Sequence, residues 1–295
     1  MALSIHTNYS ALVTNTALNK SNNALATNQQ RLGTGLRINS AADDAAGLQI
    51  ATRLNAQSRG MGVAMRNVSD SVSMLQTAEG AFNEMTDIMQ RMKDLATQGA
   101  NGTNSDDDKA ALQSEYDQLG QEVRNIMENT KYAGDALFGM TATDGKFGSD
   151  VVFQIGASAD EAMTFNVVGD ADTGLTALVA KLGEVSSYLG ATAVTDGAPG
   201  TEIGGTDTIT KLADALDLLG SVRSDFGATI NRLNHTSNNL ANMKDNTEMA
   251  KGRIMDADFA MESANMSKNS MLMQSGISML KQAGQMPGMV MSLLG

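Results

Sequence analysis

The chain has 295 residues, 33 acidic against 21 basic for a net charge of −12, with no Cys, no Trp, 21 Met and only two prolines, Pro199 and Pro287. Without Cys there are no disulfides and no thiolate chemistry, no run approaches the roughly 18 apolar residues of a membrane span, and scattered bases without aromatic platforms argue against a nucleic-acid surface. So few prolines permit long uninterrupted helices, and few aromatics with many Ala, Leu, Met and Gln favour extended helical packing over a globule with a bulky core.

Met1 to Ser10 holds no basic residue, so no cleavable signal peptide is visible, and the expectation is a cytoplasmic chain or one exported without cutting its start. From there Ala11, Leu18, Leu25 and Leu32 recur every seventh residue, and Phe259, Met266, Met273 and Leu280 do the same near the other end, with Leu294 keeping the phase past Pro287. Seven-residue recurrence holds one apolar stripe toward a partner helix, as in coiled coils. Each stripe is narrow and polar-flanked, so the ends are expected to order on assembly. A stronger pattern runs from Met61 to Ala96 at steps of three and four, and Gly99 to Asn104 ends it. Ser105 stands at an N-cap position, with Asp106, Asp107 and Asp108 where a helix dipole favours anions, ahead of a helix carrying Leu112, Tyr116, Leu119, Val123 and Ile126. Val151, Phe153 and Ile155 then alternate with polar residues, as do Met163, Phe165 and Val167, which predicts a β-hairpin. A short helix with Leu175, Leu178, Leu182, Val185 and Leu189 follows, and Gly190 to Gly205 reads as a surface loop. The last long pattern runs from Ile209 to Met243.

The predicted fold is mainly α. Nested long N- and C-terminal helices form coiled-coil and bundle domains, with a small β-hairpin region at mid-sequence. Residues 1–46 plus 254–295 are expected to form a coiled-coil domain, 47–140 plus 206–253 a helical bundle, and 141–205 a mid-sequence tip of β-hairpin, short helix and surface loop. Charge follows the same division. The ends hold Lys20, Arg31, Arg37, Lys268 and Lys281 and no acid between 1–42 or 263–295, a net +5, while the middle carries all 33 acids against 16 bases, a net −17. Low charge at the ends suits segments where identical copies crowd together, and the acidic middle suits a solvated face.

No residue set carries catalysis. His6 and His235 lie far apart, and neither has a second ligand at metal spacing. There is no HExxH, no phosphate-binding glycine motif and no alternating acid loop for Ca²⁺. The methionines fall on helical stripes without Cys or His partners, which is packing, not soft-metal binding. The sequence therefore predicts no enzyme activity, no metal site and no cofactor.

Two segments carry a resemblance. Arg31-Leu-Gly-Thr-Gly-Leu-Arg-Ile-Asn-Ser-Ala-Ala-Asp-Asp-Ala-Ala-Gly-Leu48 resembles the signature that follows the first helix of bacterial flagellins. Arg253-Ile-Met-Asp-Ala-Asp-Phe259, Asn265-Met-Ser-Lys268 and the ending Val290-Met-Ser-Leu-Leu-Gly295 resemble the flagellin carboxyl terminus, and Phe153-Gln-Ile-Gly-Ala also matches. Gly33-Thr34 departs from a common Ser-Ser pair. The resemblance implies a structural subunit of the bacterial flagellar filament, secreted unfolded through the flagellar type III apparatus, extracellular, and serving motility. Its implied partners are further copies of itself in a helical homopolymer, the export machinery, an export chaperone, the filament cap and junction proteins, with no nucleic acid and no membrane. Leu18, Leu25, Leu32, Phe259, Met266, Met273, Leu280 and Leu294 would pack subunits, and Arg31, Gly35, Arg37, Asn39, Asp43 and Asp44 would form the linker signature. Arg91, Leu95, Gln98, Glu115 and Arg232 match an epitope read by the vertebrate toll-like flagellin receptor, which is also an inter-subunit contact. The alternative is a hook–filament junction protein with flagellin-like termini.

Overall fold

A computed structural model describes residues 8–139, 144–169, 173–189 and 202–294, with side chains described through residue 285. His6, the Leu294 side chain and most of the loop expected at 190–205 lie outside the described residues. The element order is α1 Tyr9–Thr34, α2 Ala45–Gly99, α3 Asp106–Asn129, β1 Lys131–Tyr132, β2 Asp135–Ala136, β3 Val151–Gln154, β4 Ala162–Phe165, α4 Gly174–Val185, α5 Thr206–Met255 and α6 Phe259–Leu294. The chain is thus mainly helical, with two small antiparallel hairpins, β1–β2 and β3–β4, at mid-sequence. It divides into two compact units, residues 1–58 with 245–295 and residues 59–244, and helices α2 and α5 contribute to both.

The 59–244 unit has a conventional core. The apolar stripes of α2, α3 and α5 supply Met61, Val68, Leu75, Met85, Tyr116, Val123, Leu212 and Leu219 to one buried cluster. At its centre the aromatics form a connected network: Phe226 lies 5.4 Å from Phe82 and 5.1 Å from both Phe147 and Phe165, ring centre to ring centre, and Phe138 and Phe153 complete it. Six of the seven phenylalanines meet there. The few rings are concentrated in one place, so the 59–244 unit has an aromatic centre within its long helical packing.

Local chemistry sets the element ends. Ser105 caps α3 in a reciprocal box, its hydroxyl accepting from Asp108 N at 3.2 Å while Asp108 Oδ2 accepts from Ser105 N at 3.0 Å. The Ser105 hydroxyl and then its amide hold the Asp108 carboxyl below the usual carboxylate range. The β3–β4 register pairs Phe153 with Met163 and Val151 with Phe165, so alternate side chains enter the core while Val152 faces out. The β1–β2 hairpin turns through Ala133 (φ +53°) and Gly134 (φ +94°), two left-handed residues as a tight hairpin turn with right-handed strand twist requires. Tyr116 donates to Val185 O at 2.7 Å, tying α3 to the end of α4. Beside it, Gln113 donates to Asp117 Oδ1 at 2.7 Å and to Glu202 Oε2 at 2.8 Å and accepts from Ile203 N at 2.8 Å.

Candidate self-association interface

In the terminal unit α1 and α6 run antiparallel, their Cα atoms coming within 8 Å of each other. Four contacts fix the register. Asn8 caps α1 through its Oδ1, which accepts from Ala11 N at 3.0 Å, and its Nδ2 donates to Ala283 O at 2.8 Å. Leu18 sits against Gly276, where an added Cβ would stand 3.2 Å from the leucine Cδ1, so the small residue permits the close approach. Arg31 Nη1 donates to Glu262 Oε1 at 3.0 Å. Leu36 and Asp256 close the end as an isolated antiparallel bridge.

The linker signature acts at that closed end. Gly35 terminates α1 in the left-handed region (φ +71°), its amide donating to Arg31 O at 2.8 Å and its carbonyl accepting from Ala257 N at 2.9 Å. Arg37 donates twice to the end of α5, from its backbone amide to Met255 O at 2.6 Å and from Nη2 to Ile254 O at 2.9 Å. Asn39 Nδ2 donates to Leu36 O at 2.9 Å. Asp43 Oδ2 accepts from Ser40 N (2.9 Å), Asn39 N (3.0 Å) and Ser40 Oγ (3.1 Å), and these amides, Ser40 first, hold its carboxyl below the usual range. Asp44 starts α2 by accepting from Gly47 N at 2.8 Å, and a Cβ at Gly47 would stand 2.5 Å from Asp44 Oδ2. Together with buried Ile38 these residues build a turn that α2 leaves with the Gly47 amide of its first turn satisfied.

The heptad residues divide. Leu18, Leu25, Leu32, Met266, Met273 and Leu280 are all half-buried on the paired helices of one chain, whereas Phe259, at the start of α6, is 67% exposed. The large apolar residues left open lie on other faces: Tyr9, Leu12 and Val13 of α1, and Met261, Met271, Leu272, Ile277 and Met279 of α6. These the heptad reading missed. The signal was present, since Leu12-Val13 and Met271-Leu272 put apolar residues beside the stripe positions, widening each stripe to more than one helix face needs. Ile38, Ala51 and Ala283 are the only buried apolar side chains of this unit among the described residues. The one charged group buried in the pair is Glu262, whose Oε2, with Arg31 Nε and Asn28 Nδ2, has no hydrogen-bond partner.

The second predicted set lies in the other unit. Arg91 clasps Glu115 through Nε at 3.0 Å and Nη2 at 2.7 Å, both to Oε1, with both side chains about half exposed. Gln98 and Arg232 are also exposed, but the structure reports no hydrogen bond or ion pair joining the Arg232 guanidinium to the others. Leu95 differs from a surface-contact reading: it is 1% exposed and belongs to the apolar cluster, because its place on α2 falls on the Met92–Ala96 core face. Among the described residues no group of three His, Cys, Asp or Glu side chains could hold a metal ion, and no helix is long and apolar enough to cross a membrane.

A helix pair that half-buries its heptad seam yet leaves large apolar residues open along both helices has the make-up of a protein that works through an interaction surface. Residues 5–143 match the family model for the bacterial flagellin N-terminal helical region, and residues 209–294 that for the bacterial flagellin C-terminal helical region. Flagellin A of Vibrio anguillarum is 36% identical over 384 residues, and polar flagellin C of Vibrio parahaemolyticus is 36% identical over 389, each comparison covering 100% of both chains. The crystal structure of Bacillus cereus flagellin is 32% identical over 59% of this chain and 88% of that one, with a TM-score of 0.45. The chain belongs to the bacterial flagellin family, and it is a structural subunit of the flagellar filament. The full-length matches to flagellins do not favour the junction-protein alternative.

Proposed function

We propose that the α1–α6 pair, residues 1–46 with 254–295, is the polymerisation domain, and that its open apolar face, not its heptad seam, meets neighbouring copies. The observation carrying this is the row of exposed Leu12, Val13, Met271, Leu272, Ile277 and Met279 on a pair whose stripe residues, Phe259 apart, are already half-buried. The helices of 47–140 and 206–253 form the supporting bundle, and 141–205 is the outward region. The product is a secreted, extracellular motility filament with no enzymatic role, exported through the flagellar type III apparatus with its chaperone and meeting the filament cap and junction proteins. The absence of Cys supports such export, since it leaves nothing to cross-link in transit, and the acid-free ends support close packing of copies by lowering charge repulsion. Arg91, Gln98, Glu115 and Arg232, with Leu95 supporting them from beneath, form an inter-subunit patch that the vertebrate toll-like flagellin receptor also reads. The resemblance of 90–98 to that epitope supports this reading.

Electron microscopy after salt-induced assembly tests the account. Long filaments of uniform diameter are expected from the parent chain, and Met271→Asp should form none while keeping the folded 59–244 unit. Short stacks or rings from the parent chain would overturn it.

A further inference from the structure

We infer that Asn101-Gly102, in the α2–α3 loop, is a site of spontaneous deamidation through a cyclic imide. The pair is the only Asn-Gly in the chain. Both residues are exposed, and Gly102 presents no side chain to block its own amide. The Gly102 N–H makes no hydrogen bond among the described residues, so the nucleophile is unencumbered. The electrophile is prepared as well: Asn101 Oδ1 accepts from Thr103 N at 3.2 Å, an Asx-turn bond that polarises the side-chain carbonyl and stabilises negative charge developing on that oxygen.

The atoms balance without oxidant or cofactor. Gly102 N, losing its proton, bonds to Asn101 Cγ, and the Cγ–Nδ2 bond breaks to release ammonia. Water then opens the five-membered imide. Attack at Cγ leaves an ordinary aspartyl link, and attack at the backbone carbonyl leaves an isoaspartyl link with the chain routed through Cβ.

Two neighbouring sequences provide internal controls. At Asn39-Ser40, Ser40 N is engaged by Asp43 Oδ2 at 2.9 Å and Asn39 Nδ2 by Leu36 O at 2.9 Å. At Asn104-Ser105, Ser105 N is engaged by Asp108 Oδ2 at 3.0 Å and Asn104 Nδ2 by Gln98 O at 2.5 Å. Both nucleophile and leaving group are tied down there, and at 101–102 neither is. The change would alter a defined piece of structure. Asn101 N (3.2 Å) and Asn104 Nδ2 both donate to Gln98 O, closing the end of α2, and an isoaspartyl link lengthens the chain inside that clasp.

The test is timed incubation of the full-length chain at neutral and mildly alkaline pH, followed by digestion and tandem mass spectrometry, with enzymatic isoaspartyl methylation as a second readout. The expected result is an amide-to-acid mass gain that accumulates at residue 101 ahead of 39 and 104, faster at alkaline pH, with methyl acceptance rising in parallel. Gly102→Ala, whose Cβ enters open space, should abolish the signal at 101 over the same interval without changing the circular dichroism spectrum. No gain at 101, equal gain at 39 or 104, or an undiminished signal in Gly102→Ala would overturn the inference.

Discussion

The two units use the same residue types to opposite ends. In 59–244, Met89 is 0% exposed and packs in a continuous apolar cluster around six phenylalanines; in the terminal unit, Met271 is 65% exposed and the single phenylalanine, Phe259, faces out. The bundle buries the groups that stabilise it within one chain. The terminal pair has a register, set by Asn8, Arg31 and the Gly35–Arg37 turn, but almost no buried apolar volume to hold it. A unit with specified geometry and little core is one whose stability comes from additional copies, since burial of apolar surface supplies most of the favourable free energy.

Phenylalanine truncation exposes this contrast most sharply. Phe226→Ala should cost the 59–244 unit about 3–5 kcal/mol, read as a large fall in its denaturant midpoint, whereas Phe259→Ala should leave monomer stability within about 0.5 kcal/mol and weaken assembly instead. Equal losses in the two would erase the comparison. Next in size, Arg31→Ala strands the buried Glu262 carboxylate and should loosen the terminal unit by about 1–3 kcal/mol, with the thermal transition of 59–244 unmoved.

Tyr116 sharpens the bundle side. Burial first, then the Glu202 and Asp117 charges, push its hydroxyl above the usual tyrosine range. A folded value above the unfolded one means stability is fully present below the unfolded pKa and is lost as pH rises above about 10. Tyr116→Phe should cost about 1 kcal/mol at neutral pH for the lost bond to Val185 O, and should flatten the alkaline decline in urea midpoint. A decline as steep as in the parent chain would assign the alkaline limb to another group. The smallest effect is expected at Arg91→Ala, whose half-exposed ion pair is worth at most about 1 kcal/mol, so any large loss of assembly or receptor signalling there would be an interface effect and not unfolding.

Much of this could be read from the residues. The helices, the Ser105 cap, the β3–β4 alternation and the pairing of the two ends all follow from local period and capping. What periodicity does not carry is the identity of a partner. Leu18 and Met273 repeat every seventh residue whether the facing helix belongs to the same chain or another; in the structure both are half-buried on the paired α1 and α6 of one chain, while Leu12 and Met271 stay exposed. The linker motif was recognisable by likeness, but Gly35 accepts from the Ala257 amide and Arg37 donates to the Ile254 and Met255 carbonyls, partners more than two hundred residues away. Leu95 joined the receptor-epitope set by likeness alone, although a helix turns it onto the core face. The phenylalanine cluster was hidden because its members stand singly between 82 and 226, and the β1–β2 turn because Ala133 is not a residue type that favours a left-handed conformation.

Amide hydrogen exchange on monomer and assembled filament, compared residue by residue, tests the central claim most directly. The account predicts slow exchange across the 59–244 core in both states, and fast exchange through α1 and α6 in the monomer that becomes slow only in the filament. Protection of α1 and α6 in the dilute monomer equal to that in the filament would contradict it.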